Sequence, residues 1–194
     1  ATMVEMAIAM PLLLTLLLGF VDFGYAFYQW NAASKAVQIG ARLAQVSTPI
    51  ATALPSETTT QTNTTLVGAT VPAGTYDYVC TANSAGAASC TGTNCQSGNT
   101  CADQTSFDFI YDGSSSRAGM HDFLPTLAKS EVKIEYSASG LGYWTRPDGP
   151  VPTITVSIVD HPFQFFFLGG LLGFNNITMP SMLETAPGLS GKPL

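Results

Sequence analysis

Four cysteines are the residues best suited to do chemistry in this chain, and all of them lie between residues 76 and 111. In an oxidising compartment, four cysteines predict two disulfides. We expect Cys80–Cys90 and Cys95–Cys101, because short loops close at a small entropic cost and the turn sequence ANSAGA separates the first pair. Nested pairs, Cys80–Cys101 with Cys90–Cys95, are the alternative. A zinc site is disfavoured, because the cysteine intervals of 10, 5 and 6 residues do not match zinc-ligand spacing.

The other polar residues do not form a catalytic pattern. The two histidines, His121 and His161, each stand beside an aspartate, and such isolated histidines are more often surface residues than bases. The sequence lacks the nucleophile-elbow, metalloprotease and phosphate-loop motifs. Asp103, Asp108 and Asp112 lack the dense ligand spacing of a calcium-binding EF-hand loop. We therefore expect no enzymatic activity, no cofactor and no metal.

Glu5 is the one charge near the start of the chain, and an apolar segment follows it directly. A carboxylate near the centre of a bilayer costs about 3 kcal/mol on insertion scales. At the interface the cost is small, and the N-terminus of a helix favours a negative charge. Alternatively, Glu5 neutralises the α-amino group of Ala1, either its own or that of a neighbouring subunit.

The element that positions Glu5 is predicted to be an apolar helix. Residues 6–21 carry no charge, and aromatic residues follow up to Trp30. Extended to residue 28, the segment exceeds the about 20 residues needed to cross a bilayer core, and its aromatic end is typical of an interfacial belt. A signal peptide and a buried core helix are the alternatives. We favour a membrane-spanning helix, because no basic region precedes the apolar run and the helical pattern continues beyond it.

Helical periodicity extends to residue 47. Apolar residues from Ala33 to Ala44 recur with the 3.6-residue period, and Thr48-Pro49 is a stop signal. Residues 1–47 are therefore predicted to form one helix of about 70 Å, kinked near Pro11. Its amphipathic second half should lie on a globular domain, while the first half projects from it.

The composition excludes one class of partner. Only 10% of the 194 residues are charged, and the net charge is −6. A nucleic-acid partner is disfavoured, because phosphate contacts need clustered basic residues and no two basic residues are adjacent here.

The rest of the chain is predicted to be a linker followed by a β-rich domain. Residues 48–75 are rich in Thr, Ala and Pro, which predicts a linker or extended segment with a strand at 65–71. In the globular domain, 76–194, alternating apolar residues predict strands in SFDFIYD, EVKIEYSASG and PTITVSIVD, and RAGMHDFLPTLAK predicts a short helix interrupted by proline. The fold class is therefore α+β: a long N-terminal helix packed on an antiparallel sheet with disulfide-tied loops.

A second uncharged segment, residues 162–174, contains five phenylalanines. It is too short to span a bilayer, and exposed apolar patches of this kind usually mark contact surfaces. Core packing, membrane contact and a subunit interface are all compatible with it. The interface candidates are Phe163, Phe165, Phe166, Phe167 and Leu168.

The N-terminal sequence resembles that of TadE-like pseudopilins, which are relatives of type IV pilins. The shared elements are Glu5, Pro11, the leucine run, the triplet Asp22-Phe23-Gly24 and the motif Gly40-Ala41-Arg42. The C-terminal part is loosely similar, with the strand TITVSIV, the sequence HPF and the motif Met182-Leu183-Glu184.

The resemblance implies a life cycle. A prepilin peptidase would remove a short basic leader, which places Ala1 and Glu5 in the mature register. The chain would wait in the bacterial inner membrane until an assembly ATPase and a membrane platform build it into an extracellular adhesive filament, with copies of itself or other pilins. The expected assembly residues are Ala1, Glu5, Pro11, Asp22 and Gly24. The alternatives are a minor pseudopilin that primes or caps another filament, and a membrane-anchored surface binding protein that never polymerises.

Overall fold

A single long helix dominates the chain, as shown by a computed structural model that describes residues 2–59, 63–95, 101–147, 149–163, 165–167, 169 and 177–188. Helix α1, Thr2–Val46, has 45 residues, which corresponds to about 68 Å. Its second half buries a stripe of small residues at helical spacing, including Ala33, Ala36 and Ala44. The first half extends beyond the globular domain. The predicted division between a packed and a projecting half is therefore observed.

The sheet against which α1 packs is antiparallel. The strands are β1 (Asp77–Ala82), β2 (Ala88–Gly92), β3 (Gly113–Ser114), β4 (Arg117–Ala118), β5 (Val132–Ser137), β6 (Thr153–Ile158), β7 (Pro162–Phe163), β8 (Ile177–Thr178) and β9 (Met182–Pro187). The main sheet has the order β2-β1-β5-β6-β9, while β3-β4 and β7-β8 form separate two-stranded ribbons. The predicted α+β class, with a long apolar helix and an antiparallel sheet, is confirmed.

Strand periodicity explains which side of the main sheet faces the helix. In β5 the alternate residues Val132, Ile134 and Tyr136 are each at most 1% exposed, whereas the residues between them are half-buried. The alternation predicted for β5 and β6 is therefore correct, because a strand buries every second side chain on one face.

At Gly40 the backbone of α1 lies close to the globular domain. A Cβ atom at this position would lie 2.6 Å from Sδ of Met120 and 3.2 Å from Cγ1 of Val156. The absence of a side chain thus lets the helix backbone contact the sheet and its neighbouring helix directly.

The strand predicted at residues 106–112 is wrong, since this segment is part of helix α2, Gln104–Asp112. Asp103 begins the helix by accepting a 3.1 Å hydrogen bond from the Thr105 backbone N–H and a 2.7 Å bond from the Ser106 hydroxyl. Helical spacing then buries Phe107, Ile110 and Tyr111 together. A capping side chain and this shared face favour a helix, although the sequence also alternates.

The helix predicted at residues 117–129 is much shorter than expected. Helix α3 covers only Met120–Phe123, because the residue before Pro125 is disfavoured in helical conformation. The region then continues through a short 3-10 helix, Lys129–Glu131, into β5.

Residues 48–75 lie partly within the core. Ile50 and Leu54 are 0% exposed, and two 3-10 helices, Leu54–Ser56 and Thr64–Leu66, occur in this segment. The strand predicted at 65–71 is wrong. The Asn63 side chain accepts a 3.1 Å hydrogen bond from the Thr65 N–H, which starts the 3-10 turn instead.

Candidate assembly surface

The projecting half of α1 is apolar and exposed on every face. The successive residues Leu12, Leu13 and Leu14 are 66%, 61% and 59% exposed, and each helical residue turns by about 100° relative to the one before it. A helix that is apolar all round is stable only inside lipid or among other protein segments. By length and composition, α1 is also long and apolar enough to cross a membrane.

The predicted assembly residues of this half lie on its open surface. Glu5 is exposed in the first turn, and Pro11 is exposed within the helix. Gly24 faces open space, since a Cβ atom there would meet nothing within 4 Å. Ala1, the predicted partner of Glu5, lies outside the described residues. A role of these residues in assembly stays a prediction.

Asp22 behaves differently, because its side chain is 0% exposed. Its carboxylate accepts backbone hydrogen bonds from the N–H of Phe166 at 3.2 Å and from the N–H of Phe167 at 3.1 Å. Hydrogen bonds to an ionised group are stronger than neutral ones, and they offset the cost of burying the charge. Asp22 therefore fixes the phenylalanine-rich segment, residues 162–163 and 165–167 (hereafter the Phe loop), to the middle of α1.

Aromatic packing reinforces this attachment. Tyr25, one turn beyond Asp22, has ring centroids 5.0 Å from Phe166 and 6.3 Å from Phe163, and Phe163 lies 4.8 Å from Phe165. One turn further along, the Gln29 side-chain amide donates a 3.0 Å hydrogen bond to the Tyr25 hydroxyl. The loop thus contacts a single polar and aromatic face of the helix.

The interface candidates of the Phe loop differ in exposure. Phe163 is buried at 5% exposure, whereas Phe166 is 63% and Phe167 is 42% exposed. Phe165 is half-buried, and Leu168 lies outside the described residues. Only Phe166 and Phe167 therefore present large apolar surfaces to the surroundings among the described candidates.

Exposed aromatic residues also occupy the other side of α1 at the same height. Phe20, Phe23 and Phe27 are 69%, 65% and 70% exposed. Helical geometry places Phe20 and Phe27 opposite Asp22, and Phe23 about 100° away from it. Together with Tyr28, Phe166 and Phe167 they surround the helix, and we call this set of six residues the aromatic collar.

A small cavity lies under the Phe loop. It measures about 280 Å³ and is lined by Tyr25, Gln29, Thr126, His161, Pro162 and Phe166. His161 is 2% exposed, and its Nδ1 lies 2.7 Å from a Glu131 carboxylate oxygen. This contact fixes the start of the loop to the globular domain, while Asp22 fixes its exposed part to the helix.

Tyr25 and Gln29 are contact residues that the sequence analysis missed. The available signal was their spacing, because Asp22, Tyr25 and Gln29 follow one another at intervals of three and four residues. Such spacing places them on one helix face. The prediction of an interfacial belt rests on the aromatic residues of this segment and gives no role to the polar residue Gln29.

Two of the four cysteines form a disulfide, and the other two are free thiols. Cys80 and Cys90, directly opposite in β1 and β2, form a disulfide with a Cα–Cα distance of 4.0 Å. This confirms the first expected pair and contradicts the nested alternative. Cys95 and Cys101 are free in the structure. Because both are free, the predicted second disulfide stays a prediction. Burial, followed by a hydrogen bond to Cys101, raises the pKa of the Cys95 thiol to about 12.

The described part of the chain contains no group of three or more His, Cys, Asp or Glu side chains that could hold a metal ion. Its notable polar arrangements are those that fix the Phe loop, cap α2 or join neighbouring elements.

Comparison with known proteins identifies one related family. The sequence model of the TadE-like protein family matches residues 1–42. No curated protein and no solved structure matches the chain. The match covers the projecting half of α1, the Asp22 face and Gly40, and it bears out the resemblance inferred from the sequence. Over residues 1–42 the chain is thus similar to the TadE-like protein family.

Proposed function

We propose that this chain is a structural subunit of an extracellular Tad-class filament that serves surface attachment, and that it assembles through the projecting half of α1. The observation that carries the proposal is the exposure of apolar side chains on all faces of this half, from Met3 to Leu14. A surface of this kind suits both a bilayer and a bundle of identical helices.

Transfer from lipid to a helix bundle does not by itself gain hydrophobic free energy, because lipid tails are as apolar as the leucine side chains. Close packing and specific polar contacts must then favour assembly. Gly24, with open space at its Cα, permits close approach of a neighbouring helix. Exposed Glu5 is the group that pairs with the α-amino group of Ala1 in an adjacent subunit.

The partners follow from the TadE-like resemblance. A prepilin peptidase processes the chain, the inner membrane holds it with its globular domain outside the cytoplasm, and an assembly platform with its ATPase extracts it. Repeated contacts between non-identical surfaces of successive copies produce a helical filament.

The decisive experiment is quantification of this chain in purified native surface filaments by mass spectrometry. A main subunit is expected to be the most abundant species. A trace amount would identify a minor pseudopilin that primes or caps another filament. Complete absence, with normal amounts in the membrane, would identify a non-polymerising anchored protein.

A Glu5→Gln variant tests the assembly mechanism. It removes the charge at nearly constant size, and we expect filaments in the sheared surface fraction to be lost while membrane insertion persists. Asp77→Asn is the control, since Asp77 is an exposed carboxylate on β1. Normal filaments from the Glu5 variant would refute the pairing of Glu5 in assembly.

A further inference from the structure

We infer that the Phe loop is a membrane-contact element: before assembly, Phe166 and Phe167 insert into the outer boundary of the bilayer that α1 spans, and Asp22 holds them at that height. The inference requires that α1 crosses a membrane. It does not require that the chain polymerises, and it therefore goes beyond the proposed function.

The first argument is one of height along the helix. From Met3 to Val21, α1 rises about 28 Å, close to the roughly 30 Å of a bilayer hydrocarbon core. Asp22 follows directly, so it lies where hydrocarbon gives way to headgroups. The backbone N–H groups of Phe166 and Phe167 are bound to Asp22, and the two phenylalanines therefore share this level.

The second argument concerns the Asp22 carboxylate. At the hydrocarbon boundary an uncovered carboxylate would be poorly solvated. The Phe loop instead buries it completely and replaces its water by backbone N–H donors. The exposed side chains of the described part of the loop, Phe166 and Phe167, are apolar. The loop thus converts a polar helix face into one that is compatible with lipid.

The third argument favours lipid over a second copy of the chain. The aromatic collar surrounds α1, with Phe166 and Phe167 on the Asp22 side, Phe20 and Phe27 on the opposite side and Phe23 between them. A neighbouring subunit covers one side of a helix, whereas a bilayer covers its whole circumference at one depth. Aromatic residues at both sides of one level are typical of a membrane interface.

Photo-crosslinking tests this placement directly. The photoreactive residue p-benzoyl-phenylalanine is introduced at position 166 of the full chain, which is reconstituted in vesicles of phosphatidylethanolamine and phosphatidylglycerol without assembly proteins. Position 166 is 63% exposed, so the fold tolerates the larger ring. After irradiation, mass spectrometry counts lipid adducts and chain–chain adducts.

Two matched positions calibrate the yield. Tyr143 is a 45% exposed aromatic of the globular domain, and Leu14 is a 59% exposed residue of the apolar segment. We expect several-fold more lipid adducts at 166 than at 143, approaching the yield at 14. Equal yields at 166 and 143, with position 14 labelled, would overturn the inference. Chain–chain adducts in place of lipid adducts at 166 would also overturn it.

The role of Asp22 is tested with Asp22→Ala in the same position-166 chain. Loss of the carboxylate frees the two N–H groups, and we expect the lipid-adduct yield at 166 to fall while that at 14 is unchanged. An unchanged yield at 166 would refute the positioning role of Asp22. The proposed filament role can fail independently of this inference. Absence of the chain from native filaments would refute the filament role but would not change the lipid-adduct yields expected in vesicles.

Discussion

The carboxylate of Asp22 accepts a 3.1 Å hydrogen bond from the backbone N–H of Phe167, a residue 145 positions later in the chain. The contact joins the TadE-like helix to a loop of the globular domain outside the residues matched by the family. Because both partners lie where the helix leaves the domain, this hydrogen bond adds a polar contact at the junction of the projecting half and the globular part.

Replacing Asp22 by alanine should loosen the Phe loop locally. The two N–H groups would lose their acceptor, at a cost of about 1–3 kcal/mol for buried unsatisfied donors. We expect the Phe166 and Phe167 amides to exchange hydrogen about tenfold faster or more, since 1.4 kcal/mol corresponds to a factor of ten. Hydrogen–deuterium exchange of the full chain in detergent measures this. Asp77→Ala, at an exposed site in β1, is the control and should leave both amides protected.

The Asp22 contact shows where prediction from the sequence stops. Periodic apolar residues in the sequence predict the long helix and strands β5 and β6, because a helix repeats every 3.6 residues and a strand every two. The apolar projecting half is predictable in the same way from its uncharged residues. A side chain that binds backbone N–H groups of a distant loop produces no periodic pattern in the sequence. The family motif indicated that Asp22 matters, but its partners became identifiable only in three dimensions.

Helix α2 illustrates a different limit. In SFDFIYD the apolar residues fit both an alternating strand and one face of a helix, so periodicity alone does not decide. The capping role of Asp103 decides in favour of a helix, and it depends on the position of Ser106 and Thr105 relative to the aspartate. The signal was present in the sequence as an aspartate just before the segment.

A pair of glycine substitutions should separate helix packing from helix propensity. Gly40→Ala places a methyl group 2.6 Å from Met120 Sδ, and overpacking of this kind costs about 1–3 kcal/mol of unfolding free energy. Gly24→Ala meets open space and should stabilise the helix by about 0.5–1 kcal/mol. Thermal unfolding of the full chain in detergent, followed by circular dichroism, compares them. Equal shifts in both variants would contradict the close packing at Gly40.

Asp103 should make the stability of the domain sensitive to acid. Hydrogen bonds from Ser106 and Thr105 hold the pKa of this carboxyl below its usual value, so the folded state favours the ionised form. The resulting stabilisation is present above the unfolded-state pKa of about 3.9 and is lost as pH falls through the lower folded-state pKa. Asp103→Asn keeps a capping oxygen but removes this titration.

The comparison is made by urea unfolding at a series of pH values from neutral to below 4. The variant should lose less stability than the original chain over the acid range, with only a small deficit near neutral pH. Asp77→Asn, on an exposed strand position, should follow the original curve. If Asp103→Asn follows it as well, the capping hydrogen bonds do not favour the ionised form.

The two free thiols provide the last prediction. The raised pKa of Cys95 keeps this group protonated at neutral pH, and the thiolate is the form that reacts. In chain in which Cys95 and Cys101 are kept reduced, iodoacetamide should therefore label both thiols slowly in the folded state and rapidly after denaturation. Rapid labelling of Cys101 in the folded state would contradict its burial, and rapid labelling of Cys95 would contradict its raised pKa.

We further propose that Cys95 and Cys101 close a second disulfide by exchange with a donor disulfide outside the cytoplasm, where the donor is reduced to two thiols and the chain loses two hydrogens. Chain from native envelopes, alkylated without reductant and digested, should then yield a peptide linked through Cys95 and Cys101 in addition to that through Cys80 and Cys90. A Cys95→Ser/Cys101→Ser double variant supplies the control spectrum. Recovery of both cysteines alkylated, with Cys80–Cys90 intact, would show that the second pair stays reduced.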